Sequence, residues 1–328
     1  MDIKTRPQNL GELHELCKSS KNETLRKLVR PISSLNKMIG METVKLAMCR
    51  QIVYLVTLLA SGMSTRVSLD RQHKRKRTCV NKRARATSSI YMHRAIAPIE
   101  VDSDDETEIE VEDNDDEMER RISYNRSLLG DHLLHLLIQG QPGVGKTTVA
   151  HLIYNIWVEL GLVRRKKLFV VTKADLVSGY LGKSVAKTRK LIAEARGGVI
   201  AIDECYSLIS CSDGDQYGTE VLAEIINSMS NPLDNVIFFF CGYKKAIEEQ
   251  LFTNNRGLKR RFGAIFTLQL PNAEELFFIF CFQLKQNRWK IYKQDTEHVK
   301  VWFASKHNHF IKQAGGSTQA LCRLCIEE

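Results

Sequence analysis

A glycine-rich stretch between two apolar segments constrains the fold of this chain more than any other feature. It runs from Gly140 to Thr148 as GQPGVGKTT, and its glycine, lysine and threonine spacing is the pattern of a phosphate-binding loop. The apolar run 133–138 before it predicts a buried strand, and apolar residues after it recur at helical spacing up to Gly161. Strand, glycine loop and helix in this order predict an α/β nucleotide-binding fold.

The residues of this loop have distinct chemical roles in such a fold. Backbone N–H groups of the loop surround phosphate oxygens, and the N-terminus of the following helix adds a favourable dipole. Lys146 is expected to reach the β and γ phosphates of ATP, and Thr147 is expected to hold Mg²⁺. The predicted nucleotide-binding residues of the loop are Gln141, Pro142, Gly143, Val144, Gly145, Lys146, Thr147 and Thr148.

A second motif supplies the acidic half of the predicted site. Residues 199–202 form a short apolar run of the kind that is buried in parallel sheets. Asp203 follows and is expected to hold the metal, whereas Glu204 is expected to polarise the attacking water. An acid pair after an apolar run is a weak signal alone, but downstream of a phosphate loop it becomes specific. Together the motifs predict Mg²⁺-dependent hydrolysis of ATP, with Lys146 and Glu204 among the catalytic groups.

Composition indicates a globular protein without a secretory or membrane-spanning signal. The 328 residues are 43% hydrophobic and have room for about two domains. Nine cysteines, an odd number, favour free thiols in a reducing compartment. The first ten residues lack an apolar signal core, and the apolar run 52–60 is too short to cross a membrane. We expect an intracellular protein, nuclear or cytoplasmic.

Patterning divides the chain into five predicted segments. They are a polar N-terminal segment (1–34), an N-terminal helix of the nucleotide-binding module (35–60), an insertion (61–126), an α/β nucleotide-binding domain (127–270) and a small helical lid (271–328). The lid is predicted to open with a helix capped by Asn272, because Glu275 follows three residues later as in a capping box.

The insertion has the composition of a disordered segment. Residues 61–97 carry ten Lys or Arg against one acid, and residues 100–119 carry thirteen Asp or Glu and no base. Such charge blocks bury too little apolar surface to fold. The basic clusters within 74–85 resemble a nuclear import signal, and a nucleic-acid contact or a solvated charge run are the alternatives. The acidic block resembles SUMO-interacting motifs, which add a strand to a partner's sheet, or is a chance pattern.

Beyond the two motifs, the sequence resembles AAA+ ATPases of the CbxX/CfqX (CbbX-like) family. The similarity covers 35–60 and 128–328 and is carried by the strings LVSGYLGKSVAKTRKLIAEARGGVIAIDECYSL (176–208), DQYGTEVLAEIINSM (215–229), FFCGY (239–243) and GLKRRF (257–262). The resemblance implies a five-stranded parallel sheet flanked by helices and followed by a small helical lid. It also implies a homo-oligomeric ring, usually a hexamer, that binds ATP at subunit interfaces and remodels or threads a protein partner.

The resemblance also assigns roles by position. Tyr180, Leu181 and Gly182 match the aromatic pore loop that grips a threaded polypeptide, or Tyr180 packs inside the domain instead. Arg261 matches the arginine finger that reaches the γ-phosphate of the neighbouring subunit, or is a surface cation.

Three further positions complete the set that the resemblance implies. Ile39 and Gly40 match the box on the adenine side of the nucleotide, and Tyr243 matches the polar sensor after the fourth core strand. In the lid, Gln319 stands where the family has an arginine that senses the γ-phosphate, and glutamine supplies no charge. Arg323 lies one helical turn further on. ATP binding is therefore a firmer expectation than fast hydrolysis.

Three functions are open at this stage. The leading hypothesis is a ring ATPase that remodels a protein partner. A nucleic-acid-dependent ATPase or loader, binding a polyanion through residues 74–85, is the second. A nucleotide-gated scaffold with weak hydrolysis is the third, favoured by Gln319. No spacing in the sequence names the protein substrate.

Overall fold

A five-stranded parallel sheet forms the centre of the fold. The computed structural model describes residues 7–60, 115–129, 133–164, 167–178, 183–209, 216–310 and 314–327. The strands are β1 (Leu136–Gly140), β2 (Leu168–Val171), β3 (Val199–Ile202), β4 (Ile237–Gly242) and β5 (Ala264–Leu268), in the order β2-β3-β4-β1-β5. Phe240 of β4 lies opposite Leu137 of β1 and Ile202 of β3, so the segments after these three strands meet at one edge.

Helices pack on both faces of this sheet. They are α1 (Leu10–Ser19), α2 (Glu23–Lys27), α3 (Val29–Asn36), α4 (Glu42–Ala60), α5 (Asp115–Leu129), α6 (Lys146–Glu159), α7 (Lys173–Leu176), α8 (Lys183–Glu194), α9 (Gln216–Met229), α10 (Lys244–Ala246, continued by a π-helical turn, Ile247–Phe252), α11 (Ala273–Gln286), α12 (Thr296–Phe310) and α13 (Ala314–Glu327). Alternate residues of β4 enter different cores. Phe239 packs with α1, α3, α4 and α6, whereas Phe238 and Phe240 pack with α8 and α9.

The predicted polar segment 1–34 contributes helices α1, α2 and α3 to the folded domain, which the sequence pattern did not indicate. Helix α1 begins after Asn9, whose side chain accepts a hydrogen bond from the backbone N–H of Glu12. Leu10, Leu13 and Cys17 recur at helical spacing and are buried in the core. The many polar residues of the segment lie on the opposite side of these short helices and obscured the pattern.

The predicted end of the insertion at residue 126 is also wrong, because α5 begins at Asp115. Ile122 is buried, and the side-chain amide of Asn125 donates to the carbonyl of Gly161 at 3.1 Å. Arg126 donates to the backbone carbonyl of Asn235 at 2.6 Å. The acidic residues in the first turns of α5 obscured, in the sequence, a helix that packs on the domain. Residues 61–114 lie outside the described residues, and their disorder stays a prediction.

The predicted helix over 35–60 is divided by a turn. Gly40 (φ 68°) and Met41 (φ 63°) are left-handed, and α4 starts after them. Within the described ranges, α4 is the one helix that is long and apolar enough to cross a membrane. It has 19 residues, whereas the apolar run seen in the sequence, 52–60, has nine. One side of this helix belongs to the core, through Val44, Met48, Ile52, Leu55 and Leu59. The helix thus packs one face in the core, and its 19-residue length corrects the expectation, drawn from residues 52–60, that the segment is too short to cross a membrane.

The lid consists of α11, α12 and α13. The predicted capping box is confirmed, because the Asn272 side chain accepts from the N–H of Glu275 and the Glu275 side chain accepts from the N–H of Asn272, both at 2.8 Å. Phe303 of α12 packs against Phe280 of α11 at 5.3 Å between ring centroids. These aromatic rings belong to the same hydrophobic cluster as residues of β1, α4 and α6, so the lid packs on the nucleotide-binding domain.

Candidate nucleotide-binding site

The glycine loop joins the buried strand β1 to helix α6. The strand ends at Gly140, two residues after the predicted end at residue 138. Gly143 (φ 70°) and Gly145 (φ 86°) adopt left-handed conformations that side chains disfavour. Gly145 is also the N-cap of α6 and makes no side-chain cap, so the N–H groups of the first helical turn face the loop. This geometry suits an anionic ligand.

Lys146 is the first residue of α6, directly after the loop, and is only 8% exposed. Its Nζ donates to the backbone carbonyls of Gly140 at 3.3 Å and Gln141 at 2.9 Å. The same ammonium lies 4.8 Å from the ring centroid of Tyr243. Burial lowers the pKa of Lys146 below its ordinary value, and nearby Asp203 opposes this shift. An anionic phosphate in the loop would stabilise the buried charge.

Thr147 and Asp203, the predicted metal ligands, are brought together. The Thr147 hydroxyl donates to Oδ2 of Asp203 at 3.2 Å, although the residues are 56 positions apart in sequence. Asp203 is anchored because its own N–H donates to the carbonyl of Val171 at 2.8 Å, which continues the pairing of β3 with β2. Hydroxyl and carboxylate oxygens are the ligands that Mg²⁺ prefers, so this pair fits the ion.

Glu204 follows Asp203 in a left-handed conformation, φ 47° and ψ 45°, which is uncommon for a residue with a side chain. Its N–H donates to Oδ1 of Asp203 at 2.9 Å. Its Oε1 accepts a hydrogen bond from the Tyr243 hydroxyl at 3.3 Å. The predicted base and the predicted sensor are therefore in direct contact.

Tyr206 is the site residue that sequence reasoning missed. It lies in a short 3₁₀ helix, Cys205–Leu208, and its ring stacks on Tyr243 with centroids 5.0 Å apart. Burial raises the pKa of Tyr206 well above its ordinary value, and hydrogen bonding with Tyr243 adds to the shift. No chemical spacing marks this position, although Tyr206 is part of the matched string 176–208.

Arg261 is not in contact with the acid pair of its own chain in the structure. It ends a short 3₁₀ helix, Leu258–Arg261, and its Nε donates to the hydroxyl of Ser230 at 3.0 Å. Its Nη1 donates to the carbonyl of Gly257 at 3.1 Å. These two contacts fix the guanidinium beside the C-terminal end of α9.

The turn containing Ile39 and Gly40 lies between the phosphate loop and the lid. A Cβ placed on Gly145 would lie 3.7 Å from the Met38 methyl group and 3.8 Å from that of Met41. A Cβ on Gly40 would lie 2.5 Å from Oε1 of Glu275, so glycine permits close approach of the first turn of α11. The predicted adenine-side box thus touches both parts of the nucleotide site.

The lid reaches the phosphate loop through its backbone. The N–H of Gly315, at the start of α13, donates to the carbonyl of Gly143 at 3.0 Å. Gln319 is exposed one turn further on, and Arg323 is exposed as well. The contact from lid to loop is therefore made without the side chain at position 319.

The remaining predicted residues have varied positions. Val144 is buried, Pro142 is half-buried, and Gln141 and Thr148 are exposed. The pore-loop residues Tyr180, Leu181 and Gly182 lie outside the described residues, immediately before α8, and their role stays a prediction.

Known proteins share the central part of this chain. Residues 136–268 match the profile of AAA, the ATPase family associated with various cellular activities. A CfxQ homolog from Guillardia theta is 34% identical over 178 residues, which are 53% of this chain and 60% of that protein. The chloroplastic ribulose bisphosphate carboxylase/oxygenase activase of Cyanidioschyzon merolae is 32% identical over 187 residues, 57% of this chain and 61% of that protein. The ESX-1 secretion system protein EccA1 of Mycobacterium tuberculosis is 38% identical over 144 residues, 43% of this chain and 25% of that protein.

The fold and the loop geometry define a P-loop nucleotide-binding domain of the AAA type. Over about half its length the chain is similar to proteins named CfxQ homolog, which supports the resemblance to CbxX/CfqX-like AAA+ proteins. The family and the five-stranded parallel sheet predicted from the sequence are thereby confirmed. The chain spans less than two thirds of the length of each relative described above.

Proposed function

We propose that this chain is a Mg²⁺-dependent ATPase that assembles with further copies into a hexameric ring and remodels or threads a protein partner. The observation that carries the proposal is the contact of Thr147 with Asp203 at 3.2 Å, beside Glu204. It brings a hydroxyl, a metal-binding carboxylate and a second carboxylate together at the mouth of a phosphate loop. No other role explains this set of groups as well.

Binding is the first step of the proposed mechanism. The N–H groups of the loop and of the first turn of α6 bind the phosphates of ATP. Lys146 exchanges its carbonyl acceptors at Gly140 and Gln141 for β- and γ-phosphate oxygens. The turn at Ile39 and Gly40 borders the nucleotide on the side of the lid.

Hydrolysis follows from the acid pair. When bound, Mg²⁺ neutralises the charge that develops on the β and γ phosphates. Thr147 and Asp203, which lie in contact at the loop, would hold the ion there. Glu204 orients a water molecule and accepts its proton as the water attacks the γ-phosphorus, while the bond from that phosphorus to the bridging oxygen breaks and ADP leaves. Tyr243 keeps the Glu204 carboxylate in place by its hydrogen bond.

The third part of the proposed mechanism is an arginine, Arg261, supplied by a neighbouring copy of the chain. Arg261 bonds Ser230 and Gly257 rather than the acid pair of its own chain. We propose that it stabilises the γ-phosphate bound by the adjacent copy, as the resemblance implies. The relatives' names support protein partners, since one is an activase and one belongs to a secretion system. The partner of this chain is a protein that the ring engages through residues 180–182.

The direct test is ATP turnover of the purified chain beside Glu204→Gln, with assembly followed by light scattering. We expect turnover to fall by about 100-fold or more in Glu204→Gln, because a general base contributes about 10²–10⁴-fold. ATP binding is expected to persist, since Lys146 and Thr147 are unchanged. Equal turnover in both proteins would refute the proposed base, and absence of ATP binding would refute the site.

A nucleotide-gated scaffold is the second candidate, favoured by the exposure of Gln319 in the lid. It predicts ATP-dependent assembly with turnover near background in both proteins. The nucleic-acid-dependent alternative predicts stimulation by DNA or RNA that is lost when residues 74–85 are neutralised. Residues 74–85 lie outside the described residues, and nuclear import through them is a proposal that fluorescence microscopy of the same variant tests.

A further inference from the structure

Two tyrosines beside the acid pair form a unit that links parts of the site. Tyr206 follows Glu204 in the chain, and Tyr243 follows β4. Their segments are neighbours because β3 and β4 pair in parallel. The rings stack at 5.0 Å between centroids with an interplanar angle of 30°. Stacking of this kind stabilises two rings beyond the area that they bury.

The space for the Tyr206 ring depends on a glycine. A Cβ on Gly242 would lie 3.0 Å from Cδ1 of Tyr206 and 3.2 Å from Cδ1 of Ile247. Any larger residue at the end of β4 would displace the ring. Tyr206 is thus fixed by packing, between the end of β4 and the ring of Tyr243.

Tyr243 joins two groups with different roles in the proposed mechanism. Its hydroxyl donates to Oε1 of Glu204 at 3.3 Å, and its ring lies 4.8 Å from Nζ of Lys146. The backbone of Glu204 is left-handed, which is uncommon for a residue with a side chain, and its carboxylate needs a hydrogen-bond partner to keep one orientation. The support that the structure shows is the hydroxyl of Tyr243.

We propose that Tyr206 is a positioning residue for ATP hydrolysis, which acts on Glu204 through Tyr243. By stacking on Tyr243, it holds the Tyr243 hydroxyl against the Glu204 carboxylate. The orientation of the Glu204 carboxylate towards the attacking water therefore depends on Tyr206, which acts through its stacking contact with Tyr243. This inference rests on the hydrolysis proposed above.

The test uses Tyr206→Leu, which removes the stack, and Tyr206→Phe, which keeps the ring and removes the hydroxyl. We expect kcat to fall about tenfold in Tyr206→Leu and by a smaller factor in Tyr206→Phe, with KM and the Kd for ATP changed less than about twofold. Exposed Tyr292 supplies the control, and Tyr292→Leu is expected to leave kcat unchanged.

A double-mutant cycle with Tyr243→Phe separates positioning from general structural damage. If Tyr206 acts through the Tyr243 hydroxyl, Tyr206→Leu has little further effect on kcat once that hydroxyl is absent. Equal losses of kcat in both backgrounds, or a rise in KM that matches the loss, would overturn the inference. Unchanged kcat in Tyr206→Leu beside an active wild type overturns this inference alone. An inactive wild type that binds ATP overturns the proposed hydrolysis and this inference together.

Discussion

At the scale of single residues, the orientation of Arg261 depends on two acceptors, one of which is a side-chain hydroxyl. The Ser230 side chain accepts from Nε of Arg261, while the Gly257 carbonyl accepts from Nη1. A guanidinium offers several donors in a fixed plane, so two acceptors on one side determine where the other side points. Ser230 also donates to the carbonyl of Ile226 at 3.2 Å, which ties the arginine to the last turn of α9.

Ser230→Ala is therefore expected to lower ATP turnover by about tenfold or more, which corresponds to the loss of one hydrogen bond to a charged group. ATP affinity is expected to stay the same, because Arg261 makes no contact with the phosphate loop of its own chain in the structure. Steady-state kinetics with ATP measure both quantities. Arg260→Ala removes an exposed neighbouring cation and serves as the control. Equal effects of the two substitutions would mean that only net charge matters here.

At the scale of elements, the sequence predicted the parts with strong chemical or periodic patterns. The strand and helix around Lys146, the strand before Asp203 and the capped lid helix at Asn272 were predicted within two or three residues. Helices α1 and α5 were missed, because their apolar residues are few and their other faces are highly charged or polar. Tyr206 was missed because stacking across neighbouring strands leaves no signature in sequence spacing.

The hydrogen bond from the N–H of Gly315 in α13 to the carbonyl of Gly143 in the phosphate loop could not be predicted from the sequence either, because it joins two backbone groups. It supports a prediction about ATP binding. A Cβ on Gly315 would lie 2.9 Å from the carbonyl oxygen of Gly143, whereas a Cβ on Gly316 would meet nothing within 4 Å. We expect Gly315→Ala to push the lid from the loop and weaken ATP binding by about tenfold, and Gly316→Ala to leave it within about twofold. Both changes raise helix propensity equally, so the pair isolates the contact. Titration with a fluorescent ATP analogue measures the affinities, and equal affinities would show that the lid contact does not support binding.

At the scale of the whole molecule, the proposed site is divided between copies of the chain. Lys146, Thr147, Asp203 and Glu204 are joined through loops at one edge of the sheet. Arg261 is held separately by Ser230 and Gly257. A chain arranged in this way needs a neighbour for full activity, and a closed ring gives every copy one.

Mixing two inactive variants tests this division directly. In a mixture of Glu204→Gln and Arg261→Ala copies, some interfaces pair an intact Glu204 with an intact Arg261 from the neighbour. Random assembly from equal amounts makes about a quarter of the interfaces complete, so turnover is expected to recover towards that fraction of wild type. Replacing the Glu204→Gln copy by one that carries both substitutions removes every complete interface and is expected to abolish the recovery. Because each variant keeps its phosphate loop, ATP-dependent assembly is retained, and a mixture no more active than its components would place Arg261 outside the catalytic site.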